Sequence, residues 1–243
     1  MIRTSVIALA LVTQAVTAGE PKKCEGKLIQ PLNYHGDETS AEDGQRWLAL
    51  LHQPNGTYKI RSVAIRVERV NDPIVDENGQ KSGKEISPRA SSGEAIFFFK
   101  GISGIRPGPA ETLPPPAQLK PNTPILFKLS SGKSYTLTLS CTPPNDSANL
   151  QQVPAALVLK HGEISQTLGT FNASYKDGKF SCVGKEGELG VIWAGDLNAD
   201  GSLDLLINMT DHYNVSLPTL FLSPGGSGEP IVRKVAQLIS TGC

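Results

Sequence analysis

Apolar and polar residues alternate along much of the chain with a period of two, the pattern of strands that bury one face and wet the other. Over Tyr58–Val70, Val63, Ile65 and Val67 stand against Arg61, Arg66, Glu68 and Arg69, which predicts a long, half-buried strand. Ser134–Cys141 repeats the pattern, with Tyr135, Leu137, Leu139 and Cys141 on one face and Thr136, Thr138 and Ser140 on the other. Ala95–Phe99 is apolar throughout, as expected of a strand covered on both sides. Shorter runs predict strands at Trp47–Leu51, Ile125–Leu129, Ala155–Lys160, Lys179–Val183, Gly190–Ala194, Leu203–Asn208, Thr219–Ser223 and Val232–Ile239. No segment keeps helical spacing between caps for three turns. The fold class expected is all-β: two antiparallel, sandwich-like lobes joined by Pro-rich and polar connectors, with few or no helices.

Three polar breaks interrupt the alternation. Asn71–Ser92 carries the turn signals Asn78-Gly79 and Ser82-Gly83 and is expected to be a surface loop or hairpin tip. Arg106–Pro124 holds seven prolines and is expected to be an extended, polyproline-like connector. Pro143–Pro154 is the expected boundary between an N-terminal β lobe, 19–150, and a C-terminal lobe, 151–243. No repeat of fixed period is visible.

The N-terminus changes the picture of where the protein works. Arg3, the apolar Val6–Val12 and the small residues Val16-Thr17-Ala18 have the order of a secretory signal peptide, with cleavage expected near Ala18. Residues 1–18 are therefore set apart from the fold, and the product is expected to be exported, periplasmic or extracellular. No other apolar run approaches the length of a membrane span, so no stable membrane insertion is expected. The whole chain has 23 basic and 23 acidic side chains, and loss of Arg3 leaves a net charge of −1. That balance argues against a nucleic-acid partner. The 24 glycines and 18 prolines suit a protein of many short strands and turns.

Four cysteines, Cys24, Cys141, Cys182 and Cys243, are an even set in an exported chain and favour disulfides. Three connectivities are open, and the division into two lobes favours Cys24–Cys141 with Cys182–Cys243. Asn55, Asn145, Asn172, Asn208 and Asn214 fit the N-glycosylation sequon, which matters only in a host that glycosylates.

The densest chemistry lies in Gly195-Asp196-Leu197-Asn198-Ala199-Asp200-Gly201-Ser202-Leu203-Asp204. Counting Asp196 as the first position, side-chain oxygens fall at positions 1, 3, 5 and 9, with glycine at 6. Such spacing lets alternate side chains turn inward while Gly201 permits a sharp reversal and the Ser202 carbonyl points in. Asp196, Asn198, Asp200, Ser202 and Asp204 are the expected metal ligands, and an all-oxygen set selects Ca²⁺ over Zn²⁺. Position 12, where an EF-hand carries glutamate, is Ile207, and apolar strand-like runs flank the loop on both sides. The stretch resembles the calcium loop of FG-GAP/VCBS-type repeats over about residues 191–207. It also resembles the first half of a dockerin loop, without the later acid and helix. The motif occurs once, and a propeller needs several such blades, so the resemblance implies a calcium loop and not a propeller.

Other candidate chemistry is sparse. Asp211-His212-Tyr213-Asn214 reads as a solvated loop that could also offer a ligand site beside the ion, while His35, His52 and His161 form no spaced metal pair. No G-x-S-x-G, Walker A or G-x-G-x-x-G motif occurs, and no catalytic residue is assigned. The chain is thus expected to be a binding or envelope-associated module with one structural Ca²⁺ and a protein or glycan partner. The alternative is a secreted hydrolase using Asp196 or Asp211 near the metal with His212 as acid–base. An inhibitor or toxin-like effector is a third possibility.

Overall fold

The computed structural model describes residues 26–36, 38–90, 92–114, 118–143, 151–176, 179–181, 189–210, 212, 214–225 and 230–241. In chain order the strands are β1 (Lys27–Ile29), β2 (Asn33–Tyr34), β3 (Arg46–His52), β4 (Tyr58–Val70), β5 (Gly83–Pro88), β6 (Glu94–Lys100), β7 (Gly108–Thr112), β8 (Ile125–Lys128) and β9 (Ser134–Cys141). They continue with β10 (Gln151–His161), β11 (Ile164–Lys176), β12 (Lys179–Ser181), β13 (Gly190–Asp196), β14 (Asp204–Asn208), β15 (Val215–Ser216), β16 (Pro218–Leu222), β17 (Arg233–Gln237) and β18 (Ser240–Thr241). The described residues contain no helix, in keeping with the all-β expectation.

Nine strands run side by side in the order β1-β6-β3-β4-β7-β13-β14-β16-β17. The two ends of that row then meet: Gly26 bridges Ala236 in parallel, and its N–H donates to the Val235 carbonyl at 3.2 Å. The sheet is nearly a closed barrel, which leaves little unpaired edge. Its interior is filled by Phe97, Phe99, Ile60, Trp193, Leu206, Leu220 and their neighbours. β4 is long enough to serve twice, pairing with β3 and β7 over its first half and with β5 over its second.

A second sheet, β12-β11-β10-β9-β8, packs on the outside of the barrel. Tyr135, Leu137, Leu139, Leu157 and Leu159 from this sheet meet Ala194, Leu205, Ile207 and Phe221 from the barrel wall. β14 and β16 are therefore apolar on both faces, with Leu206 and Leu220 turned into the barrel while Leu205 and Phe221 face the second sheet. Their nearly unbroken apolar runs follow from burial on two sides.

Several expectations change here. The boundary at 150/151 is not a boundary between sheets: β9 pairs with β10 across it, and β13, β14, β16 and β17 complete the barrel begun by β1–β7. Hydrophobic alternation reports which face is buried and carries no information about the partner strand. Part of the Pro-rich connector is a strand, since β7 pairs with β4 through Gly108–Ala110 and with β13 through Glu111 and Thr112. Pro109 fits because so short and staggered a strand needs few N–H donors. The polar break at 71–92 contains β5, and β11 is a thirteen-residue strand where no strand was expected. Residues 1–18, and Cys24, Cys182 and Cys243 with both expected disulfide pairings, lie outside the described residues, whereas Cys141 is buried at the end of β9.

Candidate metal loop and adjoining cleft

The loop joins β13 to β14 as a β-hairpin connection, with Asp196 ending one strand and Asp204 beginning the next. Two apolar positions fasten it. Leu197 is buried in the barrel core and Leu203 in the second core, so the loop is anchored to both. Ala199 (φ 61°) and Gly201 (φ 71°) both adopt left-handed backbone, the conformation that reverses the chain twice within three residues.

The five expected ligands are gathered in this turn and bonded chiefly to backbone N–H groups. Asp196 accepts from Asp200 N at 3.1 Å and Gly201 N at 2.7 Å. Asp200 Oδ1 accepts from Ser202 N at 2.8 Å, and its Oδ2 accepts from the Asn198 amide at 3.0 Å and from the Ser223 hydroxyl. Asp204 has no exposed surface; Oδ2 accepts from Leu197 N at 2.7 Å and Asn198 N at 3.3 Å, and Oδ1 from Ser223 N at 2.7 Å. Burial pushes the Asp204 carboxyl up to about 8, opposed by the Ser223 and Leu197 N–H groups and aided by the charges of Asp200 and Asp196.

Each carboxylate oxygen that accepts one hydrogen bond keeps a further lone pair. The donor set of three carboxylates, an amide and a backbone carbonyl suits a hard, oxygen-seeking cation. The crowding of two acids around the fully buried Asp204 is the electrostatic condition that such a cation relieves. Among the described residues, no group of three or more His, Cys, Asp or Glu side chains already converges as a metal-holding cluster.

Four flanking residues had no signal in the sequence. Ser223 and Gly225 come from the link between β16 and β17, where Gly225 (φ 74°) lies against Asp200. The β8–β9 turn supplies the others: Ser131 Oγ donates to the Gly201 carbonyl at 2.8 Å, and Lys133 Nζ donates to Ser202 Oγ at 2.7 Å. These partners are 19 or more positions away in sequence, beyond the reach of any local pattern.

A cleft of about 520 Å³ opens on the other side of Asp196. It is lined by Thr57 of the β3–β4 turn, Tyr58 at the start of β4, Pro109 and Thr112 of β7, and Asp196 and Ala199 of the loop. The Thr112 hydroxyl oxygen accepts from Trp193 Nε1 at 3.0 Å, which leaves its own proton to donate. Charged lining comes from two carboxylates, Asp196 and Glu111, the latter holding Ser130 N at 2.6 Å. Of the hydrolase candidates, Asp196 lies in the loop, Asp211 lies outside the described residues, and His212 Nδ1 accepts from Asn214 N at 3.1 Å. His52 stacks on Tyr58 and His161 on Tyr135. Comparison with protein families, with curated proteins and with solved structures finds no match to the chain.

Proposed function

We propose that the protein is an exported, non-catalytic binding module in which one Ca²⁺ stiffens a wall of the ligand cleft. Asp196, Asn198, Asp200, the Ser202 carbonyl and Asp204 hold the ion. The observation that carries this reading is the gathering of three aspartates in one nine-residue turn, one of them fully buried, beside an open cleft. A divalent cation there neutralises like charges that otherwise repel, and it acts as a brace because the same turn is anchored in both cores.

The cleft suits a neutral, hydroxyl-rich ligand, and we assign it a saccharide. The half-buried Tyr58 ring with Pro109 and Ala110 offers an apolar strip, while Thr57, Thr112 and the carboxylates offer hydrogen bonds along its edges. Two carboxylates and no cationic side chain in the lining disfavour phosphate-bearing ligands.

The test is thermal melting of chelator-stripped protein. Saturating Ca²⁺ should raise Tm by about 5–10 °C, the equivalent of roughly 2–3 kcal/mol from ligand at a hundred times its Kd. Asp200→Ala should remove the response, and equal concentrations of Mg²⁺ should give less of it. Identical melting with and without calcium removes the metal reading. Titrating neutral gluco- and manno-oligosaccharides should shift the NMR signals of Tyr58 and Thr112. No shift at millimolar sugar removes the ligand assignment and leaves the calcium result standing.

A further inference from the structure

Far from the metal loop, the chain's C-terminal strand is held to the start of the fold by charged groups and has little apolar cover. β18 pairs with β15 through only two residue pairs, Val215 with Thr241 and Ser216 with Ser240, and its neighbour Ile239 is 61% exposed. Glu38 ties it down: Oε1 accepts from Thr241 N at 2.6 Å and from the Thr241 hydroxyl, and Oε2 accepts from His35 N at 3.2 Å. The His35 ring completes the connection. Its Nδ1 lies 2.6 Å from Asp72 Oδ2 in the β4–β5 loop, and the ring also meets the backbone carbonyl of Thr241.

Both of these partners are acceptors. A neutral imidazole has a single N–H and can satisfy only one of them well, whereas the imidazolium has two. The second acceptor is therefore served when the ring is protonated. Asp72 is itself fixed, with Oδ1 accepting from Ile74 N at 3.1 Å and its own N–H donating to Asp76 at 2.7 Å, so it cannot swing away to follow a neutral ring.

We propose that His35 is a proton-operated clasp, closed when the ring is charged and bridging Asp72 to Thr241, and opened by deprotonation so that β18 and its partner β15 loosen from the barrel. The charged groups acting on the ring are Asp72 and Glu38, with Asp76 behind Asp72; on β5, Lys84 donates to the Thr39 carbonyl at 3.0 Å. The carboxylate of Asp72 holds the His35 pKa above its ordinary 6.5, and reciprocally the ring holds Asp72 below its ordinary 3.8. The signs set the window. The histidine contribution is complete below pH 6.5 and is lost as pH rises through the raised folded value. The aspartate contribution is present above 3.8 and is lost only as pH falls through the depressed one. The clasp is thus closed in mildly acidic solution and opens towards alkaline pH.

Hydrogen exchange of the full chain, corrected for intrinsic rates, tests this between pH 5 and 9. Protection at 215–216 and 240–241 should fall several-fold as pH rises, with a midpoint that coincides with the His35 titration seen by NMR. In His35→Gln the step should vanish, and in Asp72→Asn it should move to lower pH. Flat protection in the natural chain, or an unchanged step in His35→Gln, overturns the proposal. Should His35→Gln fail to fold by circular dichroism, an unmoved midpoint in Asp72→Asn overturns it instead.

Discussion

Asp204 is the residue on which the loop turns. It is fully buried, and both of its oxygens face backbone donors, so no orientation of an amide can replace it without setting N–H against N–H. Asp204→Asn should therefore cost about 1–3 kcal/mol in urea unfolding even in chelating buffer, the penalty for stranding a buried donor. A loss within about 0.5 kcal/mol, typical of surface positions, would mean that Asp204 is an ordinary turn residue. The clustering of acidic side chains in one turn was legible in sequence because their spacing is local, and the glycine at 201 because a reversal needs it. Ser223, Ser131 and Lys133 were not, since side chains delivered from other strands leave no mark on the local pattern. The same holds for His35, whose sequence neighbours give no hint of Asp72 or Thr241.

At the scale of elements, the junction of β7 with β13 decides whether loop, cleft and barrel come together. Thr112 and Glu111 pair with Gly195 and Asp196, and the Trp193 indole donates to Thr112. β7 passes so close over Gly195 that a Cβ there would stand 2.0 Å from the Glu111 carbonyl oxygen and 2.7 Å from the Trp193 ring. The backbone must move to admit it. Gly195→Ala should lower stability by about 2–3 kcal/mol, a Tm loss of roughly 5–10 °C, and should weaken protection of the β7 amides from exchange. An unchanged Tm would show that this close crossing is not a constraint. Alternation identified the strands that bury one face, such as β4 and β9, and apolar continuity identified β6. β7 was hidden by the prolines in and around it, and β5 by turn-forming residues around it. Both are recruited by the neighbours they pair with, a tertiary effect that outweighs local preference.

For the whole molecule, β14 and β16 belong to two cores at once. Neither core can dissolve without stripping a face from these shared strands, so the expected unfolding is one cooperative transition. Far-UV circular dichroism and the fluorescence of Trp47 and Trp193, both buried, should give coincident urea midpoints, and calcium should move them together. Two separated midpoints would instead support lobes that divide near residue 150. By itself the sequence determined that the chain is all-β, which residues face inward on its alternating strands, and where acidic and amide side chains are concentrated in one turn. Each of these depends on interactions within about ten neighbouring residues, where side-chain order translates directly into faces and turns. Tertiary structure alone decided that the strands close into a barrel, that β13 and β14 return to complete a sheet begun by β1–β7, and that a cleft opens beside the loop. Strand pairing is a choice among partners of similar pattern, made by the combined burial of both cores, and no single segment contains that information.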